Sequence, residues 1–98
     1  MLKHYTYLIT NLNPTNEKYY IGVRTCRGDV NVDDYMGSCS YLTNEMNANG
    51  VKQYEKVIIQ EWNTREEADK HENELHLAHS AAANPMFYNK KNGVIGFH

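Results

Sequence analysis

The chain has 98 residues and a formal net charge of −2, enough for a single domain over 1–98 with one modest core, provided most apolar side chains go inside. That balance argues against unaided binding of a polyanion, which normally shows as a basic surplus, and no stretch has the apolar length that spans a bilayer. Eight tyrosines stand beside two phenylalanines and one tryptophan, so tyrosine is expected to serve both packing and chemistry.

The segment Met1-Leu2-Lys3-His4-Tyr5 carries no apolar run of the signal-peptide kind. Cys26 and Cys39 are therefore expected in a reducing, cytoplasmic setting. Acids concentrate between Asp29 and Asp34 and between Glu61 and Glu74, whereas Lys18, Arg24, Arg27, Lys52, Lys56, Lys90 and Lys91 lie outside those blocks.

In chain order, Tyr5 to Thr10 is mostly β-branched or aromatic, which predicts a strand with Tyr5, Tyr7 and Ile9 on one face. Asn11 to Asn16 reads as a turn. Tyr19 to Arg24 predicts a second strand, with Tyr20, Gly22 and Arg24 sharing a face, and the two strands make an antiparallel hairpin. Residues 25–37 are polar, acidic and aperiodic, so a loop is expected there, ordered by metal or substrate. Ser38 or Ser40 can cap a short helix that carries Leu42 and Met46, with Asn49-Gly50 as its left-handed stop. Tyr54 to Trp62 contains three consecutive β-branched residues and reads as a buried strand of the same sheet.

Thr64-Arg65-Glu66-Glu67 matches a capping box, in which the threonine hydroxyl and the glutamate carboxylate satisfy reciprocal backbone donors. The helix it starts is expected to reach about Ala82. At 3.6 residues per turn, Ala68, Glu72, Leu75, His79 and Ala82 form one stripe facing the sheet, while Glu66, Glu67, Asp69 and Glu74 face water. Asn84-Pro85 ends it, and Phe87-Tyr88-Asn89 opens a last segment. The fold class is α+β: a small three-stranded antiparallel sheet flanked by helices.

An inward carboxylate is costly to desolvate unless it meets a cation, a metal or hydrogen-bond donors. For Glu72 the candidates are Arg24 and a divalent ion. The plainer alternative is a Glu72 at the edge of the stripe, reaching water or pairing structurally with Arg24. On the hairpin, Tyr7, Tyr20 and Arg24 cluster if the strands pair in the register of the turn, although tyrosines on strands commonly do no more than pack.

Other constellations fail on spacing. A zincin helix needs histidines at i and i+4, but His71 and His76 are five apart and Leu75 holds the required position. Cys26, Cys39, His76 and His79 lack zinc-ligand spacing, so buried or surface cysteines and a solvated histidine cluster are expected instead. There is no phosphate-binding glycine loop and no nucleophile elbow.

The first strand motif Tyr5-Thr6-Tyr7, the second motif Tyr20-Ile21-Gly22, and then Arg24, Glu72 and Asn89 resemble, in order and spacing, the GIY-YIG nuclease superfamily. Tyr35-Met36-Gly37-Ser38 resembles a segment common in its phage-type members, which include homing endonucleases. The resemblance runs from Tyr5 to Asn89, with one departure: Tyr5 and Thr6 occupy the glycine and isoleucine positions of the first motif. It implies a three-stranded antiparallel sheet flanked by helices, in agreement with the reading from periodicity and caps.

For activity, the resemblance implies a metal-dependent endonuclease that hydrolyses DNA phosphodiester bonds in a bacterial or phage-infected cell. Glu72 would hold Mg²⁺ or Mn²⁺, and Arg24, with Arg27 in reserve, would steady the phosphate. Tyr7 or Tyr20 would take a proton from the attacking water, provided Arg24 and the metal lower its pKa. Asn89 would brace the site by hydrogen bonds. An appended DNA-binding domain, an oligomer or a protein partner would supply the missing affinity, and the stop at His98 is compatible with a fragment of a longer protein. The alternative from another class is a catalytically silent nuclease-fold module that binds nucleic acid or protein.

Overall fold

The computed structural model describes residues 2–15, 17–37, 40–79 and 86–88. Three strands, β1 (Leu2–Asn11), β2 (Tyr19–Arg27) and β3 (Tyr54–Trp62), form one antiparallel sheet in the order β2-β1-β3. Two helices, α1 (Ser40–Asn49) and α2 (Arg65–His79), complete the α+β fold expected from sequence.

β1 takes the middle and is covered on both faces: Tyr5, Tyr7 and Ile9 are buried on one and Thr6 on the other. The hairpin register pairs Tyr5 with Arg24, Tyr7 with Gly22 and Ile9 with Tyr20, so these six residues share a face. Side-chain turns close it, with Asn11 Oδ1 accepting from the Asn13 amide and Asn13 Oδ1 from the Thr15 amide, both at 3.0 Å.

On that face Tyr5, Tyr7 and Ile9 pack with Val30, with Leu42 and Met46 of α1, and with Tyr54 and Tyr88. α1 ends as expected at Gly50, whose φ of +90° lets its amide reach the Met46 carbonyl at 2.8 Å. On the opposite face Leu8, Tyr19 and Ile21 pack with Leu75 of α2 and with Phe87.

Three expectations need correction. β3 is an edge strand, and Val57 and Ile59 remain 47% and 40% exposed. Its β-branched run is only half covered because β1 holds the centre and α2 lies mainly across β1 and β2. The expected loop at 25–37 begins later and is more ordered: β2 continues to Arg27, and a 3-10 turn at Val30–Val32 is opened by Asp29, whose carboxylate accepts from the Asn31 amide.

The third correction concerns the inner face of α2. The capping box forms, with the Thr64 amide donating to Glu67 Oε1 and the Glu67 amide to Thr64 Oγ1, each at 3.2 Å. Ala68, Glu72 and His76 are then buried as an i, i+4 row, while His79 is exposed. His76 turns inward against the outer edge of β2, where its Nε2–H donates to the Ile21 carbonyl at 3.2 Å. The expected solvated histidines are thus met at His79 but not at His76; His71 is half-buried, bonded to Thr6 Oγ1 at 2.9 Å and packed on Trp62. Ala82 lies outside the described residues.

Residues 86–88 cover the same β2 edge. The Tyr19 amide donates to the Met86 carbonyl and the Tyr88 amide to the Tyr19 carbonyl. Among the described residues, no helix is long and apolar enough to cross a membrane.

Candidate active site

The tyrosine-bearing face of β1 and β2 buries Tyr7 to 1% exposure. Gly22 is opposite Tyr7 in the pairing, and the phenol lies over it; a Cβ at Gly22 would sit 2.3 Å from Tyr7 Oη. Gly37, with φ of +97°, closes in from the other side, its own imagined Cβ 3.5 Å from that oxygen and 3.2 Å from Cε2 of Tyr20. Gly22 is therefore required by space, and Gly37 by its backbone conformation, the room beside it being tight.

Around this point the aromatic rings converge. The Tyr7 centroid is 6.1 Å from Tyr20, 5.8 Å from Tyr5 and 6.3 Å from Tyr35, the last in an edge-on arrangement. Glu72 approaches from α2, its carboxylate buried in one row with Ala68 and His76. His76 Nε2 is 4.0 Å from Glu72 Oε2.

Burial, above all, and then Tyr20, Tyr35, Glu72 and Tyr5 push the Tyr7 phenol well above the usual tyrosine range. Arg24, expected together with a metal to activate Tyr7 or Tyr20, is itself paired with Asp33. Arg24 Nε donates to Asp33 Oδ2 at 3.2 Å, and its guanidinium carbon stacks 4.3 Å from the centre of the Tyr35 ring. Tyr35 thereby connects Arg24 to Tyr7.

Lys56 completes the wall. Its ammonium donates to the carbonyls of Asp33 and Tyr35 at 2.8 and 2.7 Å and to the Tyr5 hydroxyl at 2.9 Å. Tyr5 in turn donates to the Asp33 carboxylate. These bonds fasten residues 33–35 over the sheet.

Of the residues expected to act together, Tyr7 and Tyr20 meet directly, Glu72 lies within electrostatic reach of Tyr7, and Arg24 joins through Tyr35. Arg27 does not join them: it is exposed, three residues past Arg24 and so on the opposite face of β2. Asn89 lies outside the described residues. Asp33, Tyr35 and Lys56 were missed. Lys56 had a signal, since the period of two that turns Ile58 inward turns Tyr54 and Lys56 inward as well, and an inward lysine needs acceptors.

Among the described residues, no group of three or more His, Cys, Asp or Glu side chains is arranged to hold an ion. The single buried carboxylate of Glu72 fits the other kind of site, where Mg²⁺ keeps several waters and binds through one or two carboxylates plus substrate phosphate.

The chain is similar to a protein of Enterobacteria phage T4 named "Putative endonuclease segE", with 33% identity over 93 residues, 95% of this chain and 43% of the relative. The chain thus spans less than half the length of the curated relative it matches. No family model and no solved structure matches it.

Proposed function

We propose that this chain is the catalytic module of a GIY-YIG-type endonuclease that hydrolyses DNA phosphodiester bonds with one divalent ion held by Glu72. The observation that carries this reading is the Glu72 carboxylate, buried on α2 and acting on a Tyr7 hydroxyl seated over Gly22. The name of the phage T4 relative supports the endonuclease class, and the order of Tyr7, Tyr20, Gly22, Arg24 and Glu72 supports the subtype.

Each side chain has a role set by its surroundings. Glu72 would hold Mg²⁺ or Mn²⁺; when bound, such an ion neutralises charge on the scissile phosphate and on the departing 3′-oxygen. Arg24 grips a phosphate oxygen through its terminal amines, since Nε is already given to Asp33. Tyr7 or Tyr20, whose ring centroids are 6.1 Å apart, would take the proton of the attacking water; burial raises Tyr7, so the base role there needs a nearby cation to offset it.

A net charge of −2 offers little grip on a polyanion. Affinity for DNA therefore comes from an appended domain, an oligomer or a protein partner. The same charge, with the suppressed ionisation of Tyr7, favours a second reading, a silent nuclease-fold module that binds without cutting.

Plasmid nicking by the parent protein and by Glu72→Ala, with and without chelator, separates the two. Nicking that needs Mg²⁺ or Mn²⁺ and is lost in the variant supports the enzyme. Equal, absent or metal-independent nicking in both proteins supports the binding module.

A further inference from the structure

Arg24 is held from two sides by one short segment. Asp33 accepts from its Nε, and the Tyr35 ring covers one face of its guanidinium. A free arginine side chain samples many rotamers, so an arginine that must meet a phosphate gains from being held in advance. With Nε and one face engaged, the edge formed by Nη1 and Nη2 is left for an incoming anion; among the described residues those amines make no hydrogen bond.

The segment is itself fixed from β3. Lys56 spends its donors on the carbonyls of Asp33 and Tyr35 and on the Tyr5 hydroxyl, and it stands 5.6 Å from the centre of the Tyr7 ring. One lysine therefore sets the distance between the Arg24 cradle and the tyrosine cluster.

We propose that Lys56 is a positioning residue of the nuclease site: by fastening Asp33 and Tyr35 it presents the terminal amines of Arg24 to a non-bridging phosphate oxygen of DNA beside Tyr7. This rests on the nuclease reading. Lys56 does not touch the substrate itself.

The test follows KM and kcat for Mg²⁺-dependent plasmid cleavage in Lys56→Gln, Tyr35→Leu and Tyr35→Phe. It also follows the Arg24 Nε–H resonance of each protein during titration with inorganic phosphate. Lys56→Gln is expected to raise KM about tenfold and to change kcat by less than about threefold, the pattern of lost binding in ground and transition state alike. Its Arg24 resonance should move toward the free-arginine position and respond less to phosphate. Tyr35→Leu should reproduce both effects, and Tyr35→Phe, which keeps the ring, should restore the resonance.

A folded Lys56→Gln protein with parental KM and a parental Arg24 resonance overturns the proposal. If Lys56→Gln does not fold, identical Arg24 resonances in Tyr35→Leu and Tyr35→Phe overturn it. A parent protein that cleaves nothing sinks the nuclease reading instead, and the phosphate titration still decides whether the cradle presents Arg24 to an anion.

Discussion

The Tyr7 hydroxyl occupies the space where a side chain at Gly22 would begin, and an added Cβ there would lie 2.3 Å from Oη and 2.4 Å from Cζ. The contact accounts physically for the glycine of the second strand motif. Gly37 also approaches the phenol, an added Cβ there lying 3.5 Å from Oη.

Gly22→Ala should therefore destabilise the fold by about 1–3 kcal/mol, the usual cost of overpacking, and displace Tyr7 from Tyr20. Denaturant midpoints measure the first effect. Cleavage by the variant that remains folded measures the second, and parental values for both would show that the Tyr7 ring has room to move.

A second expectation concerns alkali. Burial is the largest cause raising Tyr5, Tyr7 and Tyr88; Asp33 adds to it at Tyr5 and Glu45 at Tyr88. In the unfolded chain these phenols ionise near pH 10. Above that pH the unfolded state releases protons that the folded state retains, so stability is full below about pH 10 and falls as pH rises toward the folded values. Phenolate absorbance during titration should show these three tyrosines appearing only with unfolding. Smooth titration of all eight near pH 10, with the fold intact, would contradict this.

The acid side depends on Asp33. Burial pushes its carboxyl upward, but hydrogen bonds from Tyr5 and Arg24 and the positive field of Arg24 and Lys56 outweigh it, leaving the pKa below the usual value. Its contribution to stability is present above about pH 4 and disappears as pH falls through the lowered folded value. The stability difference between the parent and Asp33→Asn should accordingly shrink on acidification. A difference that stays constant with pH would mean that Asp33 acts only through its shape.

Much of this architecture was legible from local chemistry. Alternation placed Tyr5, Tyr7 and Ile9 together, the Thr64 capping box fixed the start of α2, and Gly50 marked the end of α1. Each of these signals acts within one element, where sequence spacing and geometry coincide. What escaped depended on contacts between elements. The half-exposed Val57 and Ile59 follow from β1 taking the middle of the sheet. His76 turns inward against the β2 edge, where it meets the Ile21 carbonyl, and no helical projection contains that acceptor. At the candidate site, spacing could turn Tyr7, Tyr20 and Glu72 toward one another while their roles came only from the family resemblance, whereas the Asp33, Tyr35 and Lys56 cradle joins a loop to an edge strand across more than twenty residues. The charge state of Tyr7 was also beyond the sequence, because it turns on which groups surround the phenol in space.

The reading as a nuclease depends most directly on the carboxylate of Glu72. Glu72→Gln keeps the shape of the side chain and removes only its charge, so single-turnover cleavage of a DNA substrate with saturating Mg²⁺ is the decisive measurement. The account predicts a rate at least about a hundredfold below the parent in a variant with parental folding. A parental rate in Glu72→Gln would contradict it.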